Sequence, residues 1–328
     1  MTLQRPYADL TEGRNCNYWR MDPTLRRHAR RAYGEEFGRA EPKLDEWGSL
    51  VGTRIADNAD AANRHGPDLH TYDKHGNVRN RVEYHPAQAE NDRLTYEAGV
   101  VADSFRAPPD RNERFGLTHT LVMQTLLAYC DIGFACPVSM TAGAALVLDN
   151  YADNSDQADV LRRYYERLTE RDVDDHVEGA MFLTEKQGGS DVGANETSAV
   201  EADDGTYRLT GEKWFCSNVD AEGTLVLARR DGAPDGTDGL SLFLVPHTKP
   251  DGSLNDQTYR RLKDKLGTVS VPTGEVELDG ALGYLVGEPE NGFKQMTRML
   301  NFERVANAAG ATGVSGRALL EAKVHAAN

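Results

Sequence analysis

The spacing of apolar residues changes twice along the chain, and these changes divide it into three parts. Up to residue 178 apolar residues recur at helical spacing, which predicts helices over 23–34, 49–66, 87–105 and 155–168. An extended-turn-extended stretch at 67–86 interrupts them. The most apolar segment, 118–147, is the best core candidate. Pro137 is expected to divide it into two helices, and His119 near its start is expected to be a satisfied structural histidine.

From residue 179 the pattern becomes that of short strands. Turns rich in Gly, Asp and Pro separate predicted strands at 179–184, 206–210, 213–217, 223–229, 239–245 and 275–279. Residues 210–212 predict a tight reversal between two of these strands. Several short strands with such turns favour a small antiparallel β-barrel.

After Gly287 helical spacing returns, and one long helix is predicted from Gly292 to Asn328. Gly310, Gly313 and Gly316 on this helix are interpreted as sites of close helix packing. The fold class is therefore α+β and multidomain. We predict a mostly helical N-terminal domain at 1–178, a β-barrel domain at 179–287, and at 288–328 the first helix of a C-terminal helical bundle that this chain leaves incomplete.

Composition is that of a globular protein, with 39% hydrophobic and 27% charged residues. No apolar run is expected to approach the roughly 20 residues of a membrane span. The first residues show no apolar secretory segment, which favours a cytoplasmic location. The four cysteines form no paired motif, so free thiols and no metal site are expected.

The chain is strongly acidic, with 52 acidic and 37 basic residues and a net charge of −15. Such a surface is of the kind that a high-salt cytosol favours, because charge keeps the protein soluble. It argues against DNA binding, which needs a positive face, and against an anionic membrane surface.

A Gly-rich stretch at 181–192 is the best candidate for a binding site. The pair Thr184 and Glu185 precedes three small residues, Gly188, Gly189 and Ser190. Glycines let the backbone approach a ligand closely, and the hydroxyls and backbone N–H groups are donors for a carbonyl, ring nitrogen or phosphate. On composition alone, a plain surface turn explains this stretch equally well.

Three ordered elements resemble the acyl-CoA dehydrogenase flavoproteins. They are the stretch at 184–192, the segment 209–218, and the segment running from 265–267 to 285–293. Further similarity at 73–76, 84–86, 136–141, 185–191 and 261–267 indicates the AidB-like branch. Just before the first of the three elements, Phe182 stands where the family usually has a small residue.

The resemblance implies FAD as cofactor. Met181, Leu183 and Thr184 would line the isoalloxazine, and Phe215 and Ser217 would do so from the second segment. An apolar slot with a few donors is what a flavin requires. Ser190 would lie beside the pantetheine or thioester of an acyl-CoA. The alternative for Phe215 is an ordinary barrel-core residue.

The reaction implied by the resemblance is α,β-dehydrogenation of a thioester, in which a carboxylate removes the α-proton and a hydride leaves the β-carbon. Some family members carry that base in a Glu-Arg pair on the first helix after the barrel. Glu303 and Arg304 stand at this place, as candidate base and substrate-binding residue. The alternative for Glu303 is a solvated glutamate on the helix surface.

Partners follow from the same resemblance: an acyl-CoA substrate, an electron-transfer flavoprotein as acceptor, and a homotetramer for a full-length protein. The segment that grips the FAD pyrophosphate is expected beyond residue 328, so FAD binding should be weak if the chain is truncated. Two other functions stay open. One is an AidB-like protective flavoprotein that associates with DNA, and the other is a non-catalytic remnant.

Overall fold

The computed structural model describes residues 7–328. Its N-terminal part contains eight helices and one two-stranded sheet among these residues. The helices are α1 (Tyr18–Met21), α2 (Pro23–Tyr33), α3 (Phe37–Leu50), α4 (Ala56–Arg64), α5 (Pro86–Glu97), α6 (Leu117–Leu127), α7 (Ile132–Tyr151) and α8 (Ala158–Leu168). The sheet pairs β1 (Asp68–Tyr72) with β2 (Val78–Glu83), antiparallel.

Local signals predicted several of these helices well. The side chain of Asp22 accepts hydrogen bonds from the first backbone N–H groups of α2, and Gly34 ends the helix, as expected for 23–34. The helix predicted at 49–66 is longer than expected. It begins as α3 at Phe37 and continues through a π-helical turn, Val51–Ile55, into α4. Pro42 and Gly48 lie inside α3, and their helix-breaking character concealed it in the sequence.

The break in the apolar segment is not at Pro137, and that prediction is wrong. The chain breaks between α6 and α7, and Asp131 starts α7 by accepting a hydrogen bond from Phe134 N at 2.9 Å. Pro137 lies in the second turn of α7. A proline so close to a helix start removes only one intrahelical bond, so the side-chain cap decides where the helix begins.

The expectation that no apolar run approaches membrane length is also wrong. The span Ile132–Asn154 is long and apolar enough to cross a membrane by length and composition. However, 78% of its most apolar window is buried inside the protein. Its hydrophobic surface is therefore used in packing against other elements, as in a core helix.

The central part is a closed barrel with two attached strands. Its strands are β3 (Gly179–Phe182), β4 (Ser198–Glu201), β5 (Tyr207–Ser217), β6 (Gly223–Arg230), β7 (Leu240–Pro246), β8 (Gln257–Leu262) and β9 (Thr273–Leu285). The order β6-β4-β5-β9-β7 closes through the pairing of β6 with β7, while β3 pairs with β6 and β8 with β9. Most pairs are antiparallel, as predicted, but β3 and β4 run parallel to β6.

The reversal predicted at 210–212 does not occur. β5 runs continuously through these residues, with irregular pairing to β9 beside Thr210. Gly211 permits this course because a Cβ there would collide with the backbone and side chain of Thr197, which passes closely. The glycine thus serves close strand packing instead of a turn.

The chain closes with α9 (Gly292–Ala327), the long helix that was predicted. It packs along α6 and α7. Gly313 faces Thr125 and Ala128 so closely that a Cβ would overlap the Thr125 carbonyl, and Gly316 similarly faces Tyr129. These contacts confirm that the glycines of α9 serve close helix packing.

The start of the described chain is bonded to the end of α9. Gly13 N donates to Glu321 Oε2 at 2.8 Å, and Arg317 donates to the Tyr18 hydroxyl at 2.9 Å. The Asn328 side chain donates to Leu10 O at 2.8 Å. The N-terminal segment therefore depends on the last helix for part of its packing.

Candidate active site

The ends of β3 and β5 lie side by side and bring two of the predicted segments together. Trp214 N on β5 donates to Thr184 O, just beyond β3, at 2.8 Å. Along β3, Ala180 and Phe182 are buried in the core, whereas Met181 and the following Leu183 are half-buried on the other face. Strand alternation thus directs the predicted flavin-lining side chains away from the barrel core.

Phe215 and Ser217 continue this surface from β5. Phe215 is 61% exposed, so the alternative that it is a barrel-core residue is wrong. Ser217 is half-buried, and its hydroxyl lies 3.1 Å from Thr273 Oγ1. A large exposed aromatic ring beside half-buried apolar side chains and hydroxyl groups has the chemistry that an isoalloxazine ring needs. The residues present therefore fit a flavin.

A buried ion pair fixes the start of the Gly-rich loop. Lys213 is fully buried, and its ammonium lies 2.7 Å from Glu185 Oε1 and 2.9 Å from Leu227 O. Glu185 also accepts hydrogen bonds from Glu196 N at 2.6 Å and from the Thr197 hydroxyl at 2.5 Å. Burial raises the pKa of Glu185, but Lys213 and these donors outweigh it and hold the pKa below its ordinary value. Both charges serve the loop's structure.

The loop then folds back over Thr184. A Cβ on Gly189 would overlap Thr184 Oγ1, so this close approach requires a glycine. Ser190 follows on the exposed side of the loop. Further along, the Arg229 guanidinium donates to Gly193 O at 2.9 Å and holds the loop end to the barrel. The loop is thus packed onto Thr184, while residues 186–190 are exposed, and its role in binding stays a prediction.

Glu303 on α9 is buried, with 6% of its surface exposed, so the solvated-surface alternative is wrong. Ser139 on α7 donates to its Oε2 at 2.8 Å, and Oε1 has no hydrogen-bond partner among residues 7–328. Burial raises the pKa of Glu303 to about 7, although the Ser139 hydrogen bond lowers it in part. A carboxyl with a pKa near neutrality is suited to general-base catalysis.

Arg304 does not lie with the other residues of the predicted site. One residue advances a helix by about 100°, so the side chain after a buried one turns outward. Arg304 is exposed, and its guanidinium donates to Asn301 on the same helix at 3.2 Å. Its predicted role in substrate binding stays a prediction.

The first turns of α7 link the base to the barrel side of the site. The pKa of the Cys136 thiol is raised to about 12, mainly by burial; Glu303 contributes to this increase and Lys265 opposes it, so both charges act on this thiol. Asp131, which caps α7, accepts a hydrogen bond from Ser270 Oγ at 2.7 Å. The start of α7 is thereby docked on the barrel loop that follows Lys265.

A group of carboxyl side chains that sequence reasoning did not assign lies where α5 meets the barrel. Asp92, Glu178 and Asp220 line a cavity of about 300 Å³, and burial raises the pKa of each. Tyr96 donates to Glu178 at 2.6 Å, and Tyr84 donates to Asp220 at 2.8 Å. Their signal in the sequence is weak, because the three acids come from distant segments. None of the predicted flavin-contacting residues lines this cavity.

The cysteines and His119 have structural surroundings. All four cysteines are free thiols, with Cys216 buried and the other three half-buried. His119 is fully buried and lies 2.6 Å from the Tyr33 hydroxyl, and burial lowers the pKa of its imidazole to about 3. The buried position agrees with a structural histidine, but its Nε2 has no hydrogen-bond partner among the described residues, so the expectation that the side chain is satisfied is wrong for this nitrogen. Between residues 7 and 328, no group of three His, Cys, Asp or Glu side chains is arranged to hold a metal ion.

Two family descriptions match most of the chain. The Adaptive response protein AidB N-terminal domain matches residues 10–175, and the acyl-CoA dehydrogenase middle domain matches residues 180–281. The second range contains the strand ends and the Gly-rich loop described above. These matches cover the helical part and the barrel in turn.

Known relatives agree with this assignment. Acyl-CoA dehydrogenase family member 11 of Caenorhabditis elegans is 33% identical over 96% of this chain and 50% of its own length. AidB of Escherichia coli is 34% identical over 81% of this chain and 48% of its length, so the chain spans about half of these relatives. The crystal structure of C. elegans ACDH-11 with C11-CoA superposes with a TM-score of 0.87 at 31% identity, covering 96% of this chain and 54% of that one. The chain belongs to the acyl-CoA dehydrogenase family, in its AidB-like branch.

Proposed function

We propose that the chain holds the flavin and the thioester of an FAD-dependent acyl-CoA dehydrogenase, with Glu303 as the catalytic base. The observation that carries this proposal is the burial of Glu303 on α9 with a pKa raised to about 7. A glutamate that served only solubility would be exposed and would keep an ordinary pKa. Near neutral pH this carboxyl is partly ionised and accepts a proton readily.

Each part of the site has a task in this proposal. Glu303 removes the α-proton of the acyl thioester, and Ser139 orients the carboxyl by its hydrogen bond. FAD, when bound, would supply the acceptor for the hydride that leaves the β-carbon. Thr184 and Ser217 would supply donors to the ring, and Phe215 would supply the aromatic face. Ser190, which is exposed on its loop, would contact the pantetheine or thioester of the substrate.

The test is flavin binding followed by reduction with substrate. The chain is titrated with FAD, the bound flavin is followed by its visible absorbance, and an eleven-carbon acyl-CoA is then added without oxygen. We expect bleaching by the wild type, and a rate lower by roughly a hundredfold or more in Glu303→Gln. Glu321→Gln, on the same helix, is the matched control and should bleach normally. Failure to bind FAD, or equal bleaching by Glu303→Gln, would refute the proposal.

Substrate and acceptor are part of the same proposal. The C. elegans ACDH-11 structure is a complex with C11-CoA, which motivates the choice of acyl-CoA above. We further propose an electron-transfer flavoprotein as acceptor, a homotetramer for a full-length protein and a cytoplasmic location. With a net charge of −15, the chain should give no gel shift with DNA at low salt.

A further inference from the structure

Lys265 lies beside the predicted flavin site and uses all three of its ammonium donors. They reach Thr268 O at 2.7 Å, Val271 O at 2.6 Å and Thr273 Oγ1 at 3.0 Å. No carboxylate of the described chain lies within ion-pair distance of this half-buried ammonium. Its neighbour Lys263, in contrast, pairs with Glu275 at 2.6 Å. Lys265 is thus a positive charge with no ion-paired carboxylate among the described residues.

Hydrogen-bond chemistry sets a direction for the contact between Thr273 and Ser217. A lysine ammonium only donates, so Thr273 Oγ1 must accept from Lys265. Thr273 is buried, and a buried O–H without an acceptor is costly. Within the described residues its hydroxyl hydrogen has one acceptor, Ser217 Oγ at 3.1 Å. Ser217 therefore accepts from Thr273, and its own hydrogen stays free to donate to a ligand.

We propose that Lys265 is a positioning residue of the flavin site. Through Thr273, its ammonium holds the Ser217 hydroxyl as a hydrogen-bond donor to the flavin, and its charge favours the electron-rich reduced ring. This inference rests on the proposed function, because it requires that FAD bind beside Ser217. It adds a residue that does not itself touch the ring and acts through two hydroxyl groups.

Two kinds of variant separate the charge from the hydrogen-bond direction. Lys265→Met removes both, whereas Thr273→Val removes the link and keeps the charge. Lys265→Arg and Thr273→Ser are the conservative controls, and Lys74→Met removes one exposed charge in the turn between β1 and β2. Thermal unfolding of each variant shows whether it is folded. The readouts are the dissociation constant of oxidised FAD and the two-electron midpoint potential of the bound flavin.

Both effects have an expected size. A hydroxyl has three staggered positions, so losing its fixed direction should weaken oxidised FAD binding about threefold in Thr273→Val. This loss should vanish when Ser217 is already alanine. In Lys265→Met the ratio of affinities for reduced and oxidised flavin should fall roughly tenfold, the effect expected of one partly screened charge. For a two-electron couple that change lowers the potential by about 30 mV. Lys265→Arg, Thr273→Ser and Lys74→Met should resemble the wild type.

The outcomes distinguish this inference from the proposed function. A wild type that binds no FAD refutes both. If the wild type binds FAD and Lys265→Met keeps its potential, the inference alone is overturned. The same follows if Thr273→Val weakens FAD equally with and without Ser217, because the link would then be a purely structural contact.

Discussion

Replacement of Glu303 by glutamine should stabilise the protein at alkaline pH while removing the base. The wild-type carboxyl is buried, with one oxygen bonded to Ser139 and the other without a partner among the described residues. Glutamine has nearly the same shape and keeps an oxygen that can accept from Ser139. It carries no charge, so it avoids the cost of ionising a buried group.

The size and sign follow from the two pKa values of Glu303. Burial raises the pKa from 4.5 in the unfolded chain to about 7 in the folded protein, so the folded state holds a proton that the unfolded state releases. Wild-type stability therefore falls as pH rises through this window and levels off above the folded-state pKa. One pKa unit is about 1.4 kcal/mol, which makes the total cost about 3 kcal/mol. Between about pH 5 and pH 8, the free energy of unfolding of Glu303→Gln relative to that of the wild type should therefore increase by about 2.5 kcal/mol.

Denaturant unfolding of both proteins across this pH range measures the difference directly, because all other titrating groups are shared. Glu321→Gln is the matched control on the same helix. Burial raises the pKa of Glu321, but Arg317 and Gly13 N outweigh it and leave the pKa low, so its variant should lose stability relative to wild type as pH rises from acid. If the difference in free energy of unfolding between wild type and Glu303→Gln did not change with pH, the carboxyl would have the same pKa in the folded and unfolded protein. That result would refute the reasoning.

Three further substitutions test other parts of the site. Lys213→Met leaves Glu185 charged and buried without its partner, so the free energy of unfolding in denaturant should fall by about 3–5 kcal/mol. Gly189→Ala places a Cβ against Thr184 Oγ1 and should weaken FAD binding in a fluorescence titration by roughly tenfold or more, since it moves the loop. Ser139→Ala removes a hydrogen bond that lowers the pKa of the buried base, so the pH profile of flavin bleaching should move to higher pH.

Each substitution has a matched control. Lys249 pairs with Asp256 at the surface at 3.3 Å, and Lys249→Met should cost no more than about 1 kcal/mol. Gly38 has open space around it within α3, so Gly38→Ala should leave FAD affinity unchanged. Ser315 is exposed on α9, and Ser315→Ala should leave the pH profile in place. Equal effects of a test substitution and its control would contradict the corresponding assignment.

Local chemistry made much of the fold predictable. The start of α2 is set by Asp22, which caps the helix, and by Pro23, its first residue. The barrel strands are bounded by recognisable turns. The wrong predictions occur where a contact with a residue distant in sequence determines the local structure. Gly211 looks like a turn residue until Thr197 passes beside it, and Pro137 looks like a break until Asp131 is seen to cap the helix.

The site shows the same division between local and distant information. Motif similarity predicted a flavin site at Met181, Thr184 and Phe215 from two short segments, because each segment carries its own local pattern. The burial of Glu303 could not be predicted from its neighbours on α9, because Ser139 precedes it by 164 residues and belongs to another helix. The hydrogen-bond direction proposed for Ser217 could not be predicted either. It depends on Thr273, which the pairing of β5 with β9 places beside Ser217, and on Lys265, which donates to Thr273.

The bond between Gly13 and Glu321 has a consequence for synthesis of the chain on the ribosome. The two residues are 308 positions apart. At roughly 5–20 residues per second, the partner of Gly13 is made roughly 15–60 seconds after Gly13 itself. A segment that emerges early is therefore among the last to reach its final contacts. During translation this segment is accessible to chaperones and proteases until α9 has been synthesised and packs against it.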